Sequence, residues 1–403
     1  MIKYIGDILL GDNAIPGEII TDGKVIAYAG LRNRETDALC NEIRDYSGAY
    51  ILPGFIDIHV HGGGGSDFLD GTKEDFLTVA EMHASHGTAV MLPTTLCCPD
   101  DELFHFFDIY NSVAETEYNG AEFAGVHLEG PYIAASQKGA QDETYLKTPT
   151  REHYSRVLEA GKGIIRRWTI APELENAMEL GNILASRGIC ASIGHSDASC
   201  RVAGEALKNG YTMLTHFYSG MSTISRKGGF RIAGLVEAGY LYDDMCVEVI
   251  CDGCHLPTEL LQTVFKYKGA MRTALITDAM RGAGSLSGET ILGSRTNGQR
   301  CIIEDGVAKL PDRTAFAGSV CTTDRLFKTA IELMIKPYYE ANNIEGRSPV
   351  ADASNMLSAT PARLVKLRTK GHLAKGYDAD LTILDRDYSV VATIVGGRKI
   401  FGA

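Results

Sequence analysis

Apolar and polar positions follow two different patterns along the chain. Near each end, short apolar stretches are separated by turn residues such as Gly11-Asp12-Asn13 and Gly396-Gly397. This texture is typical of strands joined by hairpins. In the middle of the chain, apolar runs of strand length alternate with polar segments of helix length. That alternation is typical of a parallel sheet whose strands are joined by crossover helices.

The middle of the chain contains eight of these apolar runs, at residues 55–61, 88–94, 123–129, 167–173, 191–195, 213–216, 246–251 and 273–278. Eight alternations predict an α/β fold with a (β/α)8 TIM-type barrel, although an open doubly wound sheet is the alternative. We predict that the barrel spans residues 54–364. The matching ends, residues 1–53 and 365–403, are predicted to pair into a small β-sandwich domain.

Nearly every apolar run ends in a side chain that can bind a metal or transfer a proton. The first ends in His59-Val60-His61, and side chains two positions apart on a strand point to the same face. Alone, this pair could equally be two solvated imidazoles. Other runs end in Glu129, His195, His216 and Asp278. Because the strand ends of a barrel converge, these groups predict a hydrolytic metal site with an open water position.

Composition narrows the possible partners and compartment. Among the 403 residues, acids outnumber bases 51 to 39, and the net charge of −12 argues against a nucleic-acid surface. The basic segment 226–231 could bind one phosphate or be a solvated loop. Ten cysteines are too sparse for a disulfide scaffold, and neither a signal-peptide pattern nor a membrane-length apolar run is seen. We therefore expect a cytoplasmic protein with no nucleic-acid or membrane partner.

The ordered set of strand-end residues resembles the amidohydrolase superfamily. More narrowly, four segments resemble its N-acetylglucosamine-6-phosphate deacetylase branch: Leu128-Glu129-Gly130-Pro131-Tyr132, Lys138-Gly139-Ala140, Asp252-Gly253-x-His255 and Ala317-Gly318-Ser319. The likeness runs nearly from end to end, including a β domain split between the termini. It implies a homodimer that hydrolyses the N-acetyl amide of an amino-sugar phosphate, with N-acetylglucosamine 6-phosphate as the first substrate to test.

The resemblance also implies a role for each strand-end residue. Glu129, His195 and His216 would hold the main divalent metal, and His59 with His61 would hold a second ion, giving one or two per subunit. Zinc, iron and manganese all suit such ligands. Asp278 would accept the proton of the attacking water and return it to the leaving amine.

For the substrate, the resemblance points to Ala140, Gln141, Ser219, Gly220, Arg226 and His255. His255 resembles the family histidine that contacts the substrate. Arg226 resembles the family arginine that binds the phosphate, which in the family can act across a dimer interface. Two positions depart from the family pattern. Gln141 stands where the family has a histidine near the acyl carbonyl, and Ser219-Gly220 replaces Asn-Ala.

These departures keep two alternatives open. The same chemistry could act on an epimer such as N-acetylgalactosamine 6-phosphate or on another N-acyl compound. The chain could also be a sensor that binds sugar phosphate without turnover. The presence of Asp278 argues against a sensor, because binding alone requires no proton shuttle.

Overall fold

Eight parallel strands form a barrel in the computed structural model, which describes residues 1–284 and 287–402. In chain order and in spatial order they are Phe55–Val60, Thr88–Thr95, Val126–Glu129, Ile165–Ile170, Cys190–Ile193, Tyr211–Leu214, Cys246–Val249 and Thr273–Leu275. The ring closes just beyond the first and eighth strands, where Val60 pairs in parallel with Ala279. The predicted TIM-type barrel is confirmed, and its closure excludes the open doubly wound sheet.

Helices follow the strands and pack their apolar faces against the barrel. Polar caps mark several starts: the side chains of Thr72, Thr150 and Ser199 accept hydrogen bonds from backbone N–H groups in the first turn. The helices of the first seven units are Lys73–Ser85, Asp100–Ala114, Arg151–Ala160, Ala177–Ser186, Cys200–Lys208, Leu235–Leu241 and Thr258–Lys268. After the eighth strand come Thr323–Thr329, a π-helical segment Ala330–Ile335, and Lys336–Ala341, Pro349–Leu357 and Ala359–Leu364.

Both chain ends contribute to a separate sheet. Its strands, in spatial order, are Arg398–Gly402, Val390–Val395, Leu381–Leu384, Glu42–Pro53, Ile2–Leu10, Asn13–Asp22 and Val25–Leu31. The ends meet where Leu381–Leu384 runs antiparallel to Glu42–Pro53. The predicted sandwich domain is therefore realised as one continuous seven-stranded sheet. The domain boundaries at residues 53 and 365 stay a prediction.

Two insertions interrupt the regular alternation of strand and helix, and each follows the carboxyl end of a barrel strand. An exposed hairpin, Ser225–Lys227 with Phe230–Ile232, follows the sixth strand. A three-stranded sheet, Gly288–Leu292, Gln299–Glu304 and Val307–Lys309, follows the eighth. Across residues 1–284 and 287–402, no helix has the length and apolar character needed to cross a membrane.

Candidate active site and metal centre

The first barrel strand delivers two imidazoles to one point. His59 and His61 are both buried, and their Nε2 atoms lie 3.3 Å apart. Asp278, just beyond the eighth strand, places Oδ1 3.4 Å from His59 Nε2 and 3.1 Å from His61 Nε2. The alternation of side chains along the strand thus brings both histidines to the same face, as predicted from their spacing.

Glu129 is the centre of the cluster. Its Oε1 atom lies 3.0 Å from His216 Nε2 and 3.2 Å from His195 Nε2. The same atom is 3.4 Å from His59 Nε2, while Oε2 is 3.5 Å from His61 Nε2. Glu129 therefore belongs to two groups with metal-ligand spacing, one with His195 and His216 and the other with His59 and His61.

Three of these residues have left-handed backbone conformations: φ is 47° at His195, 28° at His216 and 48° at Asp278. Such conformations cost about 1–3 kcal/mol each in a residue with a Cβ, and they persist when neighbouring bonds hold them. The His216 N–H donates to Glu248 Oε2 over 3.2 Å, and the Asp278 N–H donates to the His59 carbonyl over 2.9 Å. The chain bends sharply at these strand ends, and the bends turn the side chains inward.

The outer nitrogen of each imidazole has an acceptor beside it. Nδ1 lies 3.4 Å from Glu248 Oε2 in His59, 3.3 Å from the Thr94 carbonyl in His61, 2.8 Å from the Gln137 carbonyl in His195 and 3.1 Å from the Ser219 carbonyl in His216. Because carbonyl and carboxylate oxygens only accept, these contacts favour a proton on Nδ1. The Nε2 lone pairs then point into the cluster, which is the arrangement of metal-ligating histidine.

This arrangement fits a divalent cation. With the protons on Nδ1, the Nε2 atoms of His195 and His216 face each other as two acceptors only 3.1 Å apart, and both face Glu129. In the described part of the chain, no lysine or arginine forms an ion pair with Glu129 or Asp278. A positive ion among the acceptors would relieve the repulsion. Nitrogen and carboxylate donors suit zinc, iron or manganese.

The electrostatics of the cluster also favour a cation. Burial alone would raise the pKa of Glu129, but His59, His195 and His216 hold it well below its ordinary value. Burial opposes ionisation of Asp278 as well, yet His59 and His61 lower its pKa. For His61, burial acts to lower the pKa, whereas Asp278 and Glu129 raise it to about 9, so without metal its Nε2 carries a proton toward Asp278 that a bound cation would replace. Both carboxylates are thus charged near neutral pH and attract positive charge.

A buried ion pair beneath the cluster supports both ligand groups. The Arg167 guanidinium is bonded to Glu248, to Ser192 Oγ and to Thr215 Oγ1, the last two at 2.9 Å. Glu248 in turn contacts His59 Nδ1 and the His216 N–H. Our sequence analysis missed this pair. The available signal was the pair Arg166-Arg167 in the strand Ile165–Ile170 and Glu248 in the apolar strand Cys246–Val249.

Most of the predicted substrate residues border the same cavity. Its lining includes, among others, His61, Glu129, Ala140, Gln141, His195, His216, Ser219, Gly220, His255 and Asp278. The His255 ring is fixed by a 2.8 Å contact between Nδ1 and Asp252 Oδ2, and it packs edge-on against Phe316. Leu292, on the inserted three-stranded sheet, and Phe316 complete one wall, which sequence reasoning did not foresee.

Arg226 is the predicted substrate residue that the fold holds apart. It lies on the exposed hairpin Ser225–Lys227 and does not contribute to the described lining of this cavity. Within a single chain, therefore, the structure does not bring Arg226 to the cavity.

Known proteins resemble this chain over most of its length. Residues 50–400 match the amidohydrolase family. The N-acetylglucosamine-6-phosphate deacetylase of Lysinibacillus sphaericus is 31% identical over 356 residues, covering 87% of this chain and 86% of the relative. The Bacillus subtilis protein of the same name is 29% identical over 386 residues, covering 95% of this chain and 92% of the relative.

Solved structures agree over the whole length. N-acetyl-D-glucosamine-6-phosphate deacetylase from Mycobacterium smegmatis, solved as a mutant in complex with N-acetyl-D-glucosamine-6-phosphate, has a TM-score of 0.88 at 26% identity. The alignment covers 99% of each chain. The Thermotoga maritima N-acetylglucosamine-6-phosphate deacetylase has a TM-score of 0.80 at 28% identity, over 100% of this chain and 99% of the other.

Proposed function

The chain belongs to the amidohydrolase family, and we propose that it hydrolyses the acetyl amide of N-acetylglucosamine 6-phosphate, releasing acetate and glucosamine 6-phosphate. The observation that carries this proposal is the convergence of six side chains at one end of the barrel. Glu129 lies between two pairs of histidines, His59 with His61 and His195 with His216, and Asp278 lies beside the first pair. Relatives matched over nearly their whole length support the substrate.

The metal ligands are assigned from the two groups around Glu129. Glu129, His195 and His216 hold the main divalent ion, and His59 with His61 can hold a second, so we propose one or two ions per subunit. When bound, the metal supplies Lewis acidity, which makes water a competent nucleophile at neutral pH and polarises the amide carbonyl.

Asp278 moves the proton. Its carboxylate is ionised at neutral pH and borders the cavity, so it can accept a proton from the attacking water. An amide nitrogen leaves poorly as an anion, so Asp278 returns this proton to the nitrogen as the C–N bond breaks. The Asp278 backbone N–H, which donates to the His59 carbonyl over 2.9 Å, fixes the residue beside the ligand histidines.

We assign sugar binding to His255, whose ring is held by Asp252, and to Ala140, Ser219 and Gly220, whose small size leaves room for the sugar ring. Arg226 lies on an exposed hairpin and does not line its own cavity, so we propose that it reaches the phosphate bound by the partner in a homodimer. We propose that this enzyme works in the cytoplasm.

The test is acetate release from N-acetylglucosamine 6-phosphate by metal-stripped and metal-restored protein. Activity should depend on the metal. Asp278→Asn should lower kcat by about 10²- to 10⁴-fold, the usual range for a general acid-base group. A variant that keeps wild-type kcat would refute the proton role of Asp278.

Rates on the gluco and galacto phosphates, measured side by side, test the substrate. A clear preference for the galacto phosphate would overturn the gluco assignment. Metal-replete protein that binds sugar phosphate without releasing acetate would indicate the sensor instead. The comparisons favour neither alternative.

A further inference from the structure

Gln141 links the central carboxylate of the site to the protein backbone. The Cys97 N–H donates to Gln141 Oε1 over 2.8 Å, and Gln141 Nε2 donates to Glu129 Oε2 over 2.6 Å. Only 4% of Gln141 is exposed, so water does not compete freely for these bonds. The backbone N–H of Gln141 also donates to the Lys138 carbonyl, which anchors the residue within its own loop.

The orientation of the Gln141 amide follows from its two partners. A backbone N–H can only donate, and an ionised carboxylate can only accept. The amide oxygen must therefore face Cys97 and the amide nitrogen must face Glu129, since the opposite orientation would set donor against donor and acceptor against acceptor. The amide is committed to Glu129 before any substrate enters.

We propose that Gln141 is a positioning residue for the metal centre. By holding Oε2 of Glu129, it turns Oε1 toward His195 and His216, whose Nε2 atoms lie 3.2 and 3.0 Å from Oε1. This role differs from the contact with the acyl carbonyl that the family resemblance implies for this position. The inference rests on the proposed function only in requiring that Glu129, His195 and His216 bind a metal.

Metal affinity measured without substrate tests this role directly. Metal-stripped wild type and Gln141→Leu are titrated with Zn²⁺ in competition with a chromogenic chelator. Leucine has nearly the same size but no donor, and we expect Zn²⁺ binding to weaken by about 10- to 100-fold, as for other groups that orient a metal ligand. Gln262→Leu, the same change on the outer helix Thr258–Lys268, is the matched control and should bind Zn²⁺ as wild type does.

Two further variants keep the test decisive. Gln141→Met, whose flexible side chain fills irregular space, replaces the leucine variant if the thermal midpoint of the metal-free protein shows that leucine unfolds the loop. Gln141→His retains one donor and one acceptor and should recover part of the lost affinity.

The outcomes separate this inference from the proposed function. If the donor-less variants bind Zn²⁺ as tightly as wild type and only raise KM, Gln141 acts on the substrate and the inference is wrong. If wild type itself binds no Zn²⁺, Fe²⁺ or Mn²⁺, the metal-dependent function fails first.

Discussion

Two clusters of charged side chains in this molecule both contain buried carboxylates but obtain their positive charge differently. The site cluster contains Glu129 and Asp278 with the surrounding histidines. The seam cluster lies where the terminal sheet meets the barrel and contains Lys370, Glu122, Asp378 and Asp380. Their difference shows why one is structural and the other is suited to chemistry.

The seam cluster obtains its positive charge from within the chain. Lys370 Nζ donates to Glu122 over 2.9 Å and to Asp380 over 2.8 Å, and it lies 2.9 Å from a carboxylate oxygen of Asp378. Burial would lower the pKa of Lys370, but Asp380 and Glu122 raise it, so the ammonium stays charged. Asp380 also accepts the Gly396 N–H over 2.7 Å, which ties the C-terminal strands to the seam.

The site cluster lacks such a partner. Among the described residues, its carboxylates face imidazoles, and no lysine or arginine pairs with them. A buried carboxylate without a fixed cation is costly, and groups of this kind concentrate at functional sites. The source of the positive charge, rather than the presence of buried acids, is what separates the two clusters.

Glu129→Gln tests the site cluster and should have the largest effect of the variants considered. The amide keeps the shape but removes the charge and the shared ligand oxygen, so Zn²⁺ affinity should fall by about 1,000-fold, equivalent to about 4 kcal/mol. Without metal, the same change should lower the free energy of unfolding at neutral pH by a smaller amount, because the histidines that lower the pKa of Glu129 stabilise its charged form in the folded protein. Chelator-competition titration and urea unfolding of the metal-free protein measure both quantities. Wild-type Zn²⁺ affinity in the variant would mean that Glu129 is mainly structural.

Lys370→Met should lower the stability of the fold and leave metal binding unchanged. It leaves Asp380, only 6% exposed, without its cation, and we expect a loss of about 3 kcal/mol in the free energy of unfolding. Zn²⁺ affinity and kcat of the folded protein should not change. Lys375→Met, an exposed lysine five positions along the chain, is the matched control. Loss of metal affinity in the Lys370 variant would contradict the separation of the two clusters.

Metal removal should change the free energy of unfolding only in proteins whose site cluster is intact. With free metal at about 100 times Kd, binding should add about 2.7 kcal/mol to the free energy of unfolding of wild type, and a chelator should remove that increment. Lys370→Met should lose the same increment, because its site cluster is intact. Glu129→Gln should lose almost none of it. Urea unfolding with and without chelator checks all three proteins.

Sequence reasoning predicted the site cluster better than the seam because strand ends follow a simple rule. The pattern His59-x-His61 and the other strand-end residues required only a barrel in which carboxyl ends converge. Neighbours of Lys370 come from distant turns, and no local pattern indicates which of several lysines will be buried among acids. The same limit applies to the buried pair Arg167 and Glu248, which lie on the fourth and seventh barrel strands. Arg167 donates to the Ile58 carbonyl and Glu248 contacts His59 Nδ1, and these contacts with the first strand form only when the barrel closes.

Other differences have local causes. The third predicted run, 123–129, divides into Glu122–Phe123, which pairs with the second barrel strand, and the barrel strand Val126–Glu129. Gly125 lies between them with φ of 125°, a conformation that interrupts the strand and that its apolar neighbours do not reveal. The inserted sheet after the eighth strand was not predicted. Its strands are short and follow one another without the helix-length polar segments by which the barrel strands were recognised.

The smallest effect comes from a second change at the seam. Lys370→Met with Asp380→Asn removes both charges of the closest pair and keeps an acceptor for the Gly396 N–H. Since most of the single-variant loss comes from leaving a buried carboxylate unpaired, the double variant should recover part of it and remain about 1–2 kcal/mol below wild type. A double-mutant cycle in urea measures the coupling. Neutral replacements of this kind cannot preserve the function of the site cluster, because metal binding and proton transfer require the charged carboxylates of Glu129 and Asp278. If the double variant is no more stable than Lys370→Met alone, the seam depends on packing by the lysine stem rather than on its charge.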